Sequence, residues 1–306
     1  MSDNLTLICL RGGLGNQLFQ FAYANRVARG TPIGFITDLG QPNLTNQGLP
    51  ELFALLQPSE YRFCMNIESV LLTKTLNFSL RKNSKNESSA LVKGLEALGS
   101  LFLFKKFRKT IKIHTGKGLG YFCDSKERKG YLLNGYFQSY KWIDKQYLRS
   151  KILSISETDQ RLLEHVKEAN SKRILAIHVR LGDYKIFDNF GVLPPRYYED
   201  SISEMEAMTH FDRIWLFSND LDYARDFIPE IYRHLVTEIS LEFTSAETFQ
   251  IMRLAHCYII GNSTFSWWGA TMTLTDSAPV IAPDPWFDKM EEPIDLIPPH
   301  WKRMPR

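Results

Sequence analysis

A chain of 306 residues is long enough for two domains of ordinary size, each with its own core. A net charge of +3 is too small to argue for nucleic acid, and no stretch approaches the roughly 20 apolar residues of a membrane-spanning helix. Four cysteines, Cys9, Cys64, Cys123 and Cys257, lack CxxC spacing, which fits reduced, buried thiols rather than a disulfide framework. Without a basic leader at residues 1–4, the expectation is a cytoplasmic protein.

In chain order, residues 5–10 (LTLICL) read as a strand, followed by the glycine-rich turn RGGLGNQ at 11–17 and a helical pattern over 17–29. Glycines between a strand and a helix let backbone N–H groups approach a ligand closely, although the same turn can be no more than a tight turn. It is neither GxGxxG nor a P-loop, which disfavours a dehydrogenase or a kinase. Between Lys74 and Lys112 lie ten Lys or Arg against two acids, Glu87 and Glu96, and residues 101–109 read LFLFKKFRK. That composition suits either a core helix with a solvated basic face or a segment lying on an anionic bilayer.

Organisation changes near 150–170, and the expected domains are 1–160 and 161–306. The second half alternates cleanly: strand 174–179, helix 195–208, strand 213–217, helix 246–255, strand 257–260, helix 265–274, strand 280–282. Such alternation predicts an α/β protein with parallel sheets. The strand at 174–179 runs into HVRLGDY (178–184), which puts His178, Arg180 and Asp183 at a strand end, where open α/β sheets bind ligands. The planar fork of an arginine suits a phosphate there, and a structural Arg–Asp pair is the competing explanation. After the strand at 257–260, GNSTFSWWGA (261–270) forms a helix start rich in hydroxyl and amide donors, suited to capping the helix, to an anion, or to both.

Taken together, GGLGNQLFQFAYA near the start, HVRLGDY, FSND at 217–220 and NSTFSWWGA resemble the bacterial α-1,2-fucosyltransferases of glycosyltransferase family eleven. The motifs keep the family's order across nearly the whole chain. Where that family often reads HxRRGDY, Leu181 replaces the second arginine. The resemblance implies a GT-B fold, two Rossmann-like domains facing a cleft, with acceptor mainly on the first and nucleotide sugar mainly on the second. It implies an inverting transferase that moves L-fucose from GDP-fucose to the 2-hydroxyl of a terminal β-galactoside in O-antigen or oligosaccharide synthesis, on an acceptor that can be lipid-linked. The alternatives are a fucosyl or deoxysugar transferase of other regiochemistry, or a non-catalytic nucleotide-sugar-binding protein.

Breaking the bond from anomeric carbon to diphosphate builds negative charge on the leaving group, so the protein must stabilise that group first. Asp220-Leu221-Asp222 spells the DxD of metal-dependent transferases, but it sits in a motif that the family explains without metal. The expectation is therefore no metal and no cofactor, with Arg180 and the helix start at Ser263, Thr264, Phe265 and Ser266 supplying positive potential. Arg180 and Asp183 are the candidate catalytic residues, Asp183 by donor contact and orientation, since a carboxylate beside a guanidinium is a weak base. Asp188 is a base candidate from its position in related α-1,6 enzymes. His178 and Asp220 are candidate donor contacts, the latter to the guanine edge, although an Asn-Asp pair after a strand is equally a normal turn and cap. Asn16, with Gly15 beside it, matches an asparagine that contacts sugar-diphosphate in related protein O-fucosyltransferases. At most one of Trp267 and Trp268 is expected at a ligand.

Overall fold

A computed structural model describes residues 6–28, 32–45, 48–56, 62–67, 70–84, 89–107, 110–116, 119–120, 131–152, 159–185, 189–275 and 277–306. The chain divides into two compact units: Met1–Leu153 with Pro293–Leu296, and Ser154–Glu292 with Ile297–Arg306.

In the first unit, β1 (Thr6–Gly12) and α1 (Leu14–Ala28) lead to β2 (Ile33–Pro42) and β3 (Arg62–Ile67). There follow α2 (Val70–Ser84), α3 (Ser89–Phe107), β4 (Lys112–Thr115), β5 (Tyr131–Asn134) and α4 (Lys145–Lys151). The strands form one sheet in the order β3-β2-β1-β5-β4, every pairing parallel. Parallel sheets need cover on both faces, which is why β1 is apolar almost throughout and buried from Thr6 to Arg11. Leu7, Cys9 and Leu132 of the sheet pack against Leu72 and Leu76 of α2 and Leu103 of α3. The excursion Pro293–Leu296 is held by the Tyr140 N–H donating to Asp295 O at 2.9 Å and by Lys141 Nζ at 2.8 Å from Asp295 Oδ2.

The second unit contains α5 (Gln160–Ser171), β6 (Ile174–Val179), α6 (Pro195–Met208), β7 (Arg213–Ser218), α7 (Leu221–Ala224) and β8 (Val236–Glu238). It continues with α8 (Ser245–Met252), β9 (Cys257–Ile259), α9 (Thr264–Thr271), β10 (Val280–Asp284) and β11 (Lys302–Pro305). Its sheet order is β11-β10-β9-β6-β7-β8, again all parallel. The chain starts in the middle at β6, winds outward through β7 to β8, and crosses back to β9 on the other side of β6. The reversal puts a topological switch point between β6 and β9, where the carboxyl ends of doubly wound sheets open a crevice. In the first unit the corresponding reversal lies between β1 and β5.

The expected α/β class with parallel sheets holds in both units, and most expected elements sit where the pattern placed them. Helix 17–29 starts earlier, at Leu14, because the glycine turn itself makes the first turn of α1. The expected helix 265–274 ends at Thr271: the Leu274 N–H turns away to donate to Arg253 O at 2.9 Å. The expected helix 246–255 begins at Ser245, fixed by a capping box between Thr244 and Glu247, and ends at Met252. Cys9 and Cys257 are buried free thiols, and burial pushes the Cys257 thiol up to about 12; the Cys64 side chain and Cys123 lie outside the described residues.

Both Trp267 and Trp268 are fully buried, their rings edge to face at 5.2 Å, with Trp301 at 5.5 Å from Trp267. Neither ring of the pair, of which at most one was expected at a ligand, is accessible: at i and i+1 on a short helix pressed into the core, both are packing. Trp268→Ala should therefore cost about 3 to 5 kcal/mol of unfolding free energy, measured by denaturant titration.

Candidate functional site

Three motif segments meet at the carboxyl edge of the second unit's sheet, because β9, β6 and β7 are adjacent and parallel. His178 is the penultimate residue of β6, Asn219 and Asp220 follow β7, and Ser263 to Ser266 follow β9. The strand ends leave carbonyls that must be satisfied. Two buried tyrosines of α6 do this: Tyr197 Oη donates to Ile260 O at 2.8 Å and Tyr198 Oη to His178 O at 3.2 Å.

His178 crosses the switch point. Its Nδ1 lies 2.9 Å from Ser266 Oγ, and that hydroxyl donates to Ser263 O at 3.2 Å, so the imidazole donates from Nδ1. Burial first, and the neighbouring Arg180 charge second, lower its pKa from 6.5 to about 3. The ring is neutral at physiological pH and brings hydrogen bonding, not charge, to the site. Its ring centroid is 6.1 Å from that of Phe265.

Ser263 caps α9: its side chain accepts from the Phe265 N–H at 3.3 Å and its carbonyl from the Trp267 N–H at 3.0 Å. Ser263 and Ser266 are buried, while Thr264 and Phe265 are half-buried and mark the accessible lip of the helix start. Arg180, also half-buried, leaves the end of β6 with its guanidinium 5.3 Å from the centre of the Tyr184 ring. Tyr184 Oη donates to Asn262 O at 3.0 Å, and its ring stacks on Phe190 at 5.1 Å. Asn262 Nδ2 in turn donates to Phe190 O and Gly191 O, both at 2.9 Å. Through Tyr184 and Asn262 the guanidinium is thus linked to the segment that precedes α9.

Leu181, where the family often has a second arginine, is fully buried in the apolar core, so no second cation arises at this position. Its N–H donates to Asn219 Oδ1 at 3.0 Å. Gly182 has φ +57°, and a Cβ there would lie 2.0 Å from Asn219 Nδ2. Only glycine allows both the left-handed turn and the asparagine amide against it. Asp220 caps α7, accepting from the Tyr223 N–H at 3.3 Å, which is the turn-and-cap role open to it from sequence. It also borders an open depression of about 810 Å³ lined by Gly182, Asn219, Asp222, Glu238 and Glu242 among others. Asp222 is exposed and faces Arg225 at 3.7 Å. Among the described residues, no group of three or more His, Cys, Asp or Glu side chains is placed to hold a metal ion. The Asp183 side chain and Asp188 lie outside the described residues.

The glycine loop of the first unit is a separate cluster. Gly12 repeats the Gly182 device, with φ +66° and a would-be Cβ 2.6 Å from Asn16 Nδ2. Asn16 is half-buried and its Oδ1 accepts from Gln138 Nε2 at 2.9 Å; Gly15 is buried beside it. Gln17 is consumed by scaffolding, donating to Gly12 O at 2.8 Å and accepting from the Leu52 N–H at 2.9 Å. The Leu14 N–H, first in the helix, goes to Glu51 Oε2 at 2.8 Å. A carboxylate of the chain itself therefore sits where the sequence allowed a ligand anion.

Sequence reasoning passed over Gln138, Tyr184, Asn219 and Asn262. The last three stood inside the motifs already singled out, so motif membership was the available signal. Gln138, 122 residues from its partner Asn16, gave none.

The model of glycosyl transferase family 11 matches residues 6–302. The chain belongs to that family. It is 28% identical over 306 residues to the alpha-1,2-colitosyltransferase of Escherichia coli, covering 96% of this chain and 97% of that protein. It is 26% identical over 297 residues to the O-antigen biosynthesis glycosyltransferase WbnK of Escherichia coli, with 91% and 94% covered. Among solved structures, the fold is similar to fucosyltransferase NodZ from Bradyrhizobium (TM-score 0.50, 13% identity, 89% of this chain and 93% of that one). It is similar also to ADP-heptose lps heptosyltransferase II of E. coli (TM-score 0.50, 9% identity, 98% and 89% covered). These last two speak for the α/β glycosyltransferase fold of GT-B type and for nothing finer.

The neutral His178 sets a pH dependence. Its folded pKa is depressed, so between pH 6.5 and about 3 the unfolded chain binds a proton that the folded chain refuses. Stability is full above pH 6.5 and falls as pH drops through that window, by about 2 kcal/mol between pH 7 and pH 5 from this residue. Denaturant melts of the parent and of His178→Asn at both pH values should show that the variant lacks this component.

Proposed function

We propose that this family 11 glycosyltransferase moves L-fucose from GDP-fucose to the 2-hydroxyl of a terminal β-galactoside, with inversion and without a metal ion. What supports the reading is Arg180 at the end of β6, its guanidinium over Tyr184, whose hydroxyl is bonded to Asn262 just before α9. There a guanidinium and a helix amino terminus can act on one diphosphate.

The chemistry follows from those groups. As the bond between anomeric carbon and diphosphate oxygen lengthens, charge grows on the leaving oxygens, and a preorganised cation favours that state over the bound donor. Tyr184, anchored to Asn262, keeps the guanidinium from swinging into solvent. His178 positions Ser266 and the helix start through its Nδ1 bond and stays neutral. The guanine edge, which offers N–H donors, suits the depression bordered by Asp220, Asp222, Glu238 and Glu242, where Glu238 is paired with Arg225. When bond breaking runs ahead of attack, the acceptor hydroxyl meets a strong electrophile before it loses its proton, and the demand for a strong base is small.

The name of the WbnK relative supports a place in O-antigen assembly, on an acceptor that can be lipid-linked. The cytoplasm, where nucleotide sugars are available, is the proposed compartment. No described helix is long and apolar enough to cross a membrane. A second reading has its own support: a relative over nearly the full length is named a colitosyltransferase, so a GDP-activated deoxysugar other than fucose is the competing donor.

The test is GDP release in EDTA with GDP-fucose and with GDP-colitose across a panel of β-galactosides, followed by linkage analysis. A 2-linked fucoside formed without metal is expected; selective use of GDP-colitose would favour the second reading. Arg180→Ala should lower kcat about a hundredfold or more, and Arg180→Lys should not rescue it, because the fork geometry is lost. Near-normal turnover in either variant would overturn the assignment of Arg180.

A further inference from the structure

Helix α3 is apolar on two opposite faces, and only one of them is used. Val92, Gly99 and Leu103 are buried, with Leu103 in the core against the sheet. On the other side Leu91, Leu98, Leu101 and Phe104 are 51%, 63%, 62% and 50% exposed. Leu91, Gly94, Leu98 and Leu101 recur at three- and four-residue steps, so they form one ridge about 15 Å long. Neighbouring α2 adds Phe78, 45% exposed, on the face it shares with exposed Lys74 and Arg81. A helix apolar all round is normally enclosed, and a contiguous exposed apolar ridge marks a contact surface.

The surroundings of the ridge say what covers it. Lys93 and Lys105 on α3 and Lys74 on α2 are exposed beside it. Glu96 is the one acid among the described residues of the two helices, and its Oε1 accepts from the Thr115 N–H at 3.0 Å, inside the unit. The rim is therefore cationic. α3 is not apolar enough to cross a bilayer. An apolar ridge rimmed by lysines matches the interface plane of a bilayer with anionic headgroups, apolar side chains entering the acyl boundary and ammonium groups meeting phosphates.

We propose that the first unit docks peripherally on an anionic membrane through the exposed ridge of α3, Leu91 to Phe104, with Lys74, Lys93 and Lys105 around it. The surface is independent of the donor and acceptor assigned above.

Full-length protein is sedimented with vesicles of phosphatidylethanolamine and phosphatidylglycerol, and with vesicles of phosphatidylcholine alone, at low and high salt. Sedimentation with the anionic vesicles at low salt is expected. The triple variant Lys74→Glu, Lys93→Glu, Lys105→Glu should weaken it on the order of a hundredfold or more. Leu98→Glu with Leu101→Glu should abolish it while leaving the melting temperature near that of the parent, because both side chains lie outside the core. The proposal fails if the parent stays in the supernatant with anionic vesicles, or if both variants sediment like the parent. It fails equally if light scattering shows a dimer that the leucine variant dissolves, since a second copy would then cover the ridge.

Discussion

The second unit depends on the junction of β6 and β9, where a parallel sheet reverses its winding direction. Parallel strands all end on the same edge, so that edge collects unpaired carbonyls and helix starts that only side chains or ligands can satisfy. Tyr197 and Tyr198 close the carbonyls at the ends of β9 and β6, and His178 ties β6 to Ser266 in α9. Thr264 and Phe265 form the accessible lip of the helix start, and the Arg180 guanidinium lies over the Tyr184 ring.

Charge is separated across this edge. On one side stands the Arg180 guanidinium, over the Tyr184 ring, with a histidine that burial keeps neutral. On the other, carboxylates line the depression around Asn219 and Asp220. A nucleoside diphosphate, the donor class proposed above, has the complementary distribution: an anionic diphosphate joined to a base with N–H donors.

The two units share a local solution although their sequences there differ. In each, a glycine with positive φ lies at or just after the end of the first strand, and an asparagine amide packs where its Cβ would be: Gly12 under Asn16, Gly182 under Asn219. The first unit closes its helix start internally with Glu51, while the second caps its α9 start with a hydroxyl and leaves its lip accessible. A carboxylate and a ligand anion cannot both occupy one helix start, which sets the two apart chemically.

Local patterns determined much of this protein by themselves. Runs such as ILAIHV and RIWLFS are apolar without alternation because both faces of a parallel strand are buried, and their bounds and the class of fold were legible from that alone. The motifs around Arg180, Asp220 and Ser263 were legible too, because strand-end loops carry residue types that a core does not need. Tertiary structure alone decided which members of those motifs face outward. Trp267 and Trp268 are both core, Leu181 stands in a cation's place and is core, and the helix start of α1 is filled by Glu51. Gln138 meets Asn16 across 122 residues. The reason is physical: secondary structure follows from periodicity within a few residues, whereas burial, pairing and protonation depend on which distant segments the winding of the sheet brings into contact.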